Sequence, residues 1–171
     1  MKYGVVIFPS KKLQDIVNSY RKRYDPNYSL IPPHITIKYP FDSTEENIHK
    51  VAKYLEEVSA DMRPFLLRVL KVSTFQPVNN VIYLKIEPTS DLVALQQKLQ
   101  NDLMGSDSEF AFVPHITLGQ QLTNAEHADV FGQISMLDLR HEEMIDRFHL
   151  LYQLENGSWT VYETFRLGKE A

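Results

Sequence analysis

The chain has 171 residues, 43% of them hydrophobic, with 9 Pro, 6 Gly and no Cys, which excludes a disordered or fibrous protein and describes one compact domain or two small lobes sharing a core. The lack of cysteine excludes disulfides, thiolate metal sites, iron–sulfur clusters and cysteine nucleophiles, and the expected setting is cytoplasmic. With 18 basic and 22 acidic residues the net charge is −4, so no basic face is expected to grip long nucleic acid, whereas a small phosphorylated substrate or an RNA end is compatible with it.

The first apolar run, Tyr3 to Phe8, reads as a short buried strand. It is too short and too early for a signal peptide, and no later run approaches the ~20 apolar residues of a membrane span. After Pro9, Leu13, Ile16, Val17, Tyr20 and Tyr24 recur at helical spacing, and the basic run Arg21-Lys22-Arg23, with Lys11 and Lys12, reads as the solvated face of that helix. A strand follows at Pro33-His34-Ile35-Thr36. Ser43-Thr44-Glu45-Glu46 then has the form of a capping box, opening a helix with Ile48, Val51, Ala52, Leu55 and Val58 on one face. A strand from Phe65 to Phe75 closes this half.

The second half repeats the order. Val81 to Ile86 is a β-rich run, Pro88 follows, and Leu92, Leu95, Leu99 and Leu103 mark a helix that opens after Ser90 and stops near Gly105. Pro114-His115-Ile116-Thr117 repeats the earlier tetrapeptide at an offset of 81 residues, from His34 to His115. Thr123-Asn124-Ala125-Glu126 opens another helix, with Ala128, Phe131 and Ile134 on its apolar side. Arg147 to Leu154 and Trp159 to Leu167 read as strands joined by an Asn156-Gly157 turn. The predicted architecture is therefore α+β, a duplicated bilobal fold in which two pseudo-symmetric lobes each carry an antiparallel sheet with outer helices. Lobe one is expected to span about residues 1–76 and lobe two about 77–171, with the active groove between them.

Side chains alternate along a strand, so His34, Thr36 and Lys38 share one face while Ile35, Ile37 and Tyr39 share the other; likewise His115, Thr117 and Gly119 oppose Ile116 and Leu118. A pseudo-two-fold axis brings two imidazoles and two hydroxyls together across the groove. In-line displacement at phosphorus needs one proton removed from the attacking oxygen and one delivered to the leaving oxygen, and histidine is the side chain that exchanges protons near neutral pH. His34 and His115 are accordingly the candidate catalytic pair. Thr36 and Thr117 are candidate substrate-binding donors to the non-bridging oxygens. Lys38 adds a positive charge to that set, and Gly119 at the equivalent place leaves space.

The two motifs, His34-Ile35-Thr36-Ile37 and His115-Ile116-Thr117-Leu118, resemble the paired His-x-Thr motifs of the two-histidine (2H) phosphoesterase superfamily of LigT-like proteins. The Pro32 to Phe41 stretch resembles in particular the bacterial YjcG-type phosphoesterases. The resemblance implies a bilobal duplicated fold and metal-independent action on a 2′,3′-cyclic phosphate or a related 2′-5′ phosphodiester, with His34 and His115 as acid and base and Thr36 and Thr117 holding phosphate. Which histidine is base and which is acid is left open by the pseudo-symmetry.

No metal and no cofactor are expected. The histidine pair lacks a third ligand at a recognisable spacing, His141-Glu142-Glu143-Met144-Ile145 fails the His-Glu-x-x-His pattern at its last place, and no Gly-x-x-x-x-Gly-Lys phosphate loop exists. His49, His127 and His141 read as solvated, and His149 as a core or groove histidine. The expected state is a monomer. The alternative function is a non-catalytic module that binds an RNA end or nucleotide in the same groove.

Overall fold

The computed structural model describes residues 1–107 and 111–168. In chain order its elements are β1 (Lys2–Ile7), α1 (Lys11–Tyr24), β2 (Ile35–Asp42), α2 (Glu45–Asp61), β3 (Phe65–Thr74), β4 (Ile82–Ile86), α3 (Ser90–Lys98), β5 (His115–Gly119), α4 (Asn124–Ile134), β6 (His141–Ile145), β7 (Arg147–Gln153) and β8 (Trp159–Arg166). The strands form two four-stranded sheets, ordered β2-β1-β7-β8 and β5-β4-β3-β6. Every pairing is antiparallel. The two sheets correspond strand for strand, with a motif strand, β2 or β5, at one edge of each. This is the expected α+β duplicated architecture, and none of the helices among the described residues is long and apolar enough to cross a membrane.

The boundary between the lobes differs from the expected one near residue 76. β3 pairs with β4 and β6, while β7 and β8 complete the sheet that begins with β1. Each half of the chain thus supplies closing strands to the other half's sheet. The physical reason is the short connection after β3. A strand followed within a few residues by another apolar strand pairs with it as a hairpin, and the register Thr74↔Ile82 through Val69↔Ile86 is that hairpin. β7 and β8 form the matching hairpin across the Asn156-Gly157 turn, where Gly157 takes φ +89°.

The helix starts follow from their caps. Thr44 accepts from the Asn47 N–H and Thr89 from Leu92 N–H, while Thr123 and Glu126 form a full reciprocal capping box. In α2 the cap thus falls on Thr44, one residue later than a box built on Ser43 and Glu46 requires. α3 also stops earlier than its leucine spacing predicts. Leu99 is its C-cap, and the Asn101 side chain then accepts the N–H groups of Leu103 and Met104, a local turn that competes with further helix. Leu99 stays buried, and Leu103 packs against the core from the turn.

The motif strands alternate as their sequences require. Ile35, Ile37, Ile116 and Leu118 are fully buried in the core that both sheets share, which leaves the His-x-Thr faces toward the groove. The helices cross between sheets: α1 packs against β5 of the opposite sheet, α3 against β2, and the edge strands β2 and β5 approach each other. At Gly119 the end of α1 lies directly against β5. A Cβ there would lie 3.0 Å from Tyr24 Cβ and 3.2 Å from the Tyr24 carbonyl oxygen, so the space left at Gly119 is filled by the end of α1. Gly119→Ala should push α1 off β5 and cost about 1–3 kcal/mol, read as a lowered midpoint in denaturant unfolding; an unchanged midpoint would show that α1 is free to shift.

Candidate active site

A cavity of about 250 Å³ lies between the motif strands, and His34, Thr36, His115 and Thr117 all line it. The sequence-predicted groups therefore meet at one place. His34 Nδ1 lies 2.8 Å from the Pro32 carbonyl oxygen and His115 Nδ1 lies 2.8 Å from the Val113 carbonyl oxygen. A carbonyl oxygen only accepts, so each Nδ1 carries the hydrogen and donates it, and Nε2 is left as the proton-exchanging nitrogen. The same contact to the residue two places back occurs on both strands, which is the duplication expressed at atomic detail.

Burial lowers both imidazoles. His34 falls to about 4, first because the charged ring is desolvated and then because Arg21 and His115 oppose a further positive charge, while the Pro32 carbonyl pulls the other way. His115 is also lowered by desolvation, against the raising effect of the Val113 carbonyl. Its ring stands edge-on to Phe75 at 5.1 Å and tilted against Tyr83 at 5.3 Å, and these two rings stack on each other at 4.2 Å. The cavity by itself thus favours neutral imidazoles, and any anion bound between them favours protonation of the pair.

Lys11, Lys12, Lys22 and Arg23 are exposed, as the reading of a solvated face expects, but Arg21 is not. It is 2% exposed and lines the cavity. Its Nε donates to Asp25 Oδ2 at 3.1 Å, Nη1 to Asn18 Oδ1, and Nη2 to the carbonyls of Asn27 and Ile31. These bonds tie down the segment that leads into Pro32-Pro33-His34. Asp25 Oδ1 in turn accepts from Asn27 N and from Gln120 Nε2 at 2.9 Å, and Gln120 N donates to the Tyr24 carbonyl. A continuous chain of hydrogen bonds therefore runs from the approach to the first motif to the residue just past the second. Trp159 completes the wall, and its backbone N–H donates to the Leu30 carbonyl.

Lys38 is where the sequence reading needs correction. It borders the cavity, yet it is 1% exposed, and its ammonium already donates to the Gly105 carbonyl at 2.6 Å and to Gln100, with Asp107 at 3.5 Å. Its charge fastens the turn after α3 to β2; burial lowers its pKa and Asp107 offsets this. Two further histidines differ from their solvated reading. His127 is buried, with Nε2 2.8 Å from Thr74 Oγ1 and its ring stacked on Phe131. His141 pairs with Glu143, whose carboxylate also accepts the Ser10 N–H. His49 is exposed as expected, and His149 contacts Phe8 and Thr164 outside the cavity wall. Arg21, Asp25, Gln120 and Trp159 are among the cavity residues that the motifs did not announce. Only the i,i+4 spacing of Arg21 and Asp25 offered a signal, and that spacing says nothing of burial.

Among the described residues no group of three or more His, Asp or Glu is placed to hold a metal ion. Comparison with known proteins gives a match over residues 8–157 to the family model described as the 2′-5′ RNA ligase superfamily. A Bacillus licheniformis protein named "Putative phosphoesterase" is 59% identical over 98% of this chain and 99% of its own length, and a Geobacillus kaustophilus protein of the same description is 57% identical over 98% and 97%. Among solved structures, TT0787 of Thermus thermophilus superposes with a TM-score of 0.77 at 16% identity over the whole of both chains. E. coli LigT complexed with 3′-AMP does so with 0.75 at 14% identity over 98% of each.

The buried ion pair generates a stability test. Asp25→Asn leaves the Arg21 guanidinium without its counter-charge at a site closed to water and should cost about 3 kcal/mol, measured by urea unfolding; a loss within about 0.5 kcal/mol, the range of ordinary surface changes, would show that the pair is dispensable.

Proposed function

The chain belongs to the 2′-5′ RNA ligase superfamily, and on that footing we propose that it is a phosphoesterase that hydrolyses a 2′,3′-cyclic phosphate or a related 2′-5′ phosphodiester of RNA or a nucleotide without a metal. The observation that carries the reading is the matched fixing of His34 and His115, each with Nδ1–H held by a backbone carbonyl and each turned to one cavity with Nε2 left for proton exchange. Two imidazoles so held supply both proton transfers of an in-line displacement. Water attacks phosphorus as its proton passes to a neutral Nε2, the P–O bond on the far side breaks, and the departing sugar oxygen takes a proton from the other, protonated Nε2. One water is added across one P–O bond, and the pair ends with its proton exchanged between partners. Thr36 and Thr117 donate to the non-bridging oxygens, where negative charge accumulates.

Binding of a phosphate anion completes the electrostatics. The site alone resists charge because it is buried; the substrate brings the counter-charge that lets one imidazole hold a proton. Arg21 is a fixed cation lining the cavity, and because its own donors are engaged with Asp25 and the backbone it acts as a positioning residue. Lys38 contributes to the same cavity through the loop it fastens.

The reactive form of the pair carries a single proton, and the pair titrates as a unit. Since both imidazoles are lowered from 6.5, His34 to about 4, kcat/KM should rise as the doubly protonated pair loses its first proton and fall as the last one leaves, with an optimum on the acid side of 6.5. The kcat profile should lie at higher pH, because bound phosphate raises both groups. A pH–rate series on the wild-type protein checks this, and a flat profile between about pH 5 and 9 sinks the pair as acid and base.

Hydrolysis of the common nucleoside 2′,3′-cyclic phosphates in EDTA, with the product isomer identified, tests the activity itself. Turnover should survive the chelator and fall by about 10²- to 10⁴-fold in His34→Ala and in His115→Ala, with ligand affinity largely kept. A folded protein that binds these esters and turns none of them over is a binding module instead.

A further inference from the structure

The two motif strands match through their threonines and diverge just beyond them. At the offset of 81 residues that relates His34 to His115, the counterpart of Gln120 is Tyr39. Both line the cavity, but they are held differently. Tyr39 is 45% exposed and is tied to its surroundings by its backbone N–H, which donates to Asp107. Gln120 is half-buried and anchored twice: its backbone N–H donates to the Tyr24 carbonyl at 3.0 Å and its Nε2 to Asp25 Oδ1 at 2.9 Å. A carboxylate only accepts, so the amide must present its nitrogen to Asp25, and Oε1 lies at the other end of the group. Among the described residues no protein group donates to Oε1, and no buried side-chain polar atom lacks a partner. Oε1 is therefore an acceptor open to the space that Gln120 lines, which includes the cavity and an adjoining concavity shared with His115 and Thr117. The other polar groups of the cavity do not offer this. The Asp25 carboxylate is closed to water and fully engaged, Arg21 and Lys38 only donate, and no hydrogen bond among the described residues fixes the side-chain amide of Asn27.

We propose that Gln120 Oε1 orients the water that attacks phosphorus. The proposal rests on the phosphoesterase reading and deepens it by adding a residue to the reacting set. A water aims a lone pair at phosphorus only when both of its hydrogens are held. One passes to the neutral imidazole Nε2, and the other needs an acceptor that stays in place. Thr36 and Thr117 each have one hydroxyl hydrogen, which goes to a non-bridging oxygen. The Gln120 amide supplies the remaining acceptor without net charge, where a free carboxylate would repel the phosphate anion. A glutamine amide is suited to holding the attacking water in reactions at phosphorus. In the step, the water oxygen forms the new P–O bond and its first hydrogen moves to Nε2. The second hydrogen stays on that oxygen in the product, bonded to Oε1 throughout, while the far P–O bond breaks and the departing oxygen takes its proton from the other imidazole. The amide neither gains nor loses a proton. Because Tyr39 stands where the symmetry would put a second amide, the acceptor exists on one side only, and the two imidazoles take fixed, unequal roles.

The test lets water compete with methanol for adenosine 2′,3′-cyclic phosphate and separates the two products, the phosphomonoester and its methyl ester, by mass. Methanol has a single hydroxyl hydrogen, which goes to the imidazole, so its attack needs no second acceptor. Two variants are set beside the wild type. Gln120→Met removes the acceptor and the bond to Asp25 with little change of volume, while Gln120→Lys removes the acceptor and keeps a donor to Asp25. In both, hydrolysis should fall about tenfold, the effect of one hydrogen bond in the reacting complex, while methanolysis changes less than about twofold. The added charge of the lysine acts on the binding of the ester, which both reactions share, so it leaves the ratio of products alone. Equal losses of both reactions show that Gln120 only supports the fold of the site and overturn the proposal. So does a lysine variant with the wild-type ratio, because the bond to Asp25 would then be the whole role of the residue. A lysine variant with the lowered ratio upholds the proposal even where the methionine variant does not fold. A wild type that transfers the phosphate to neither water nor methanol overturns the phosphoesterase reading and the role of Gln120 with it, whereas turnover with a ratio that neither variant moves overturns that role alone.

Discussion

The placement of the two motif histidines depends on the join between the end of α1 and the end of β5. Each motif strand is an edge strand, hydrogen-bonded on one side only, and an isolated edge has freedom to shift. Here the carbonyl of Tyr24 receives Gln120 N, the Gln120 amide reaches Asp25, and the Asp25 carboxylate is clamped by Arg21. The same guanidinium holds the backbone of Asn27 and Ile31 just before His34. Burial makes the network consequential, because a charged pair closed to water is costly when either member is missing. Gly119 permits the join, since a methyl group in that position would meet Tyr24.

The chemistry of the site follows from a local rule used twice. A Pro-Pro-His or Val-Pro-His entry into an edge strand puts the imidazole Nδ1 against the carbonyl two residues back. The tautomer is thereby chosen by the backbone, without a carboxylate partner that would hold the ring charged. Burial then keeps the pair poorly protonated until an anion arrives. A site built in this way suits a ligand that brings its own negative charge, which esters of phosphoric acid do and neutral acyl compounds do not.

Much of this was legible from local patterns. The paired His-x-Thr segments, their two-faced alternation, the Thr123–Glu126 box and the Asn156-Gly157 turn all depend on residues a few positions apart, and they appear as read. The exchange of β3 with β7 and β8 did not, because periodicity identifies a strand but not its partner; only the short β3–β4 connection hinted at it. The fates of Lys38 and Arg21 were hidden for a related reason. Both look like surface cations, and only the tertiary arrangement supplies the carbonyls and carboxylates that make their burial tolerable. His127 was misread because its position near a helix start says nothing of Thr74, 53 residues away in sequence, to which it bonds.

The exchanged strands also bear on how the molecule is made. The sheet that contains β1 and β2 is completed by β7 and β8, whose residues, 147–166, leave the ribosome after every strand of the other sheet. The other sheet depends on β3 from the first half, so it closes first, once β6 has emerged. Until then the first motif strand and its neighbour wait as an incomplete pair with apolar faces uncovered, a state in which nascent chains are vulnerable to wrong partners. Pairings between strands so far apart in sequence, such as β1 with β7, also close large loops and slow folding. The histidine of the first motif is thus synthesised well before the strands that complete its sheet, and neither lobe is a segment that can be cut out and expected to fold by itself.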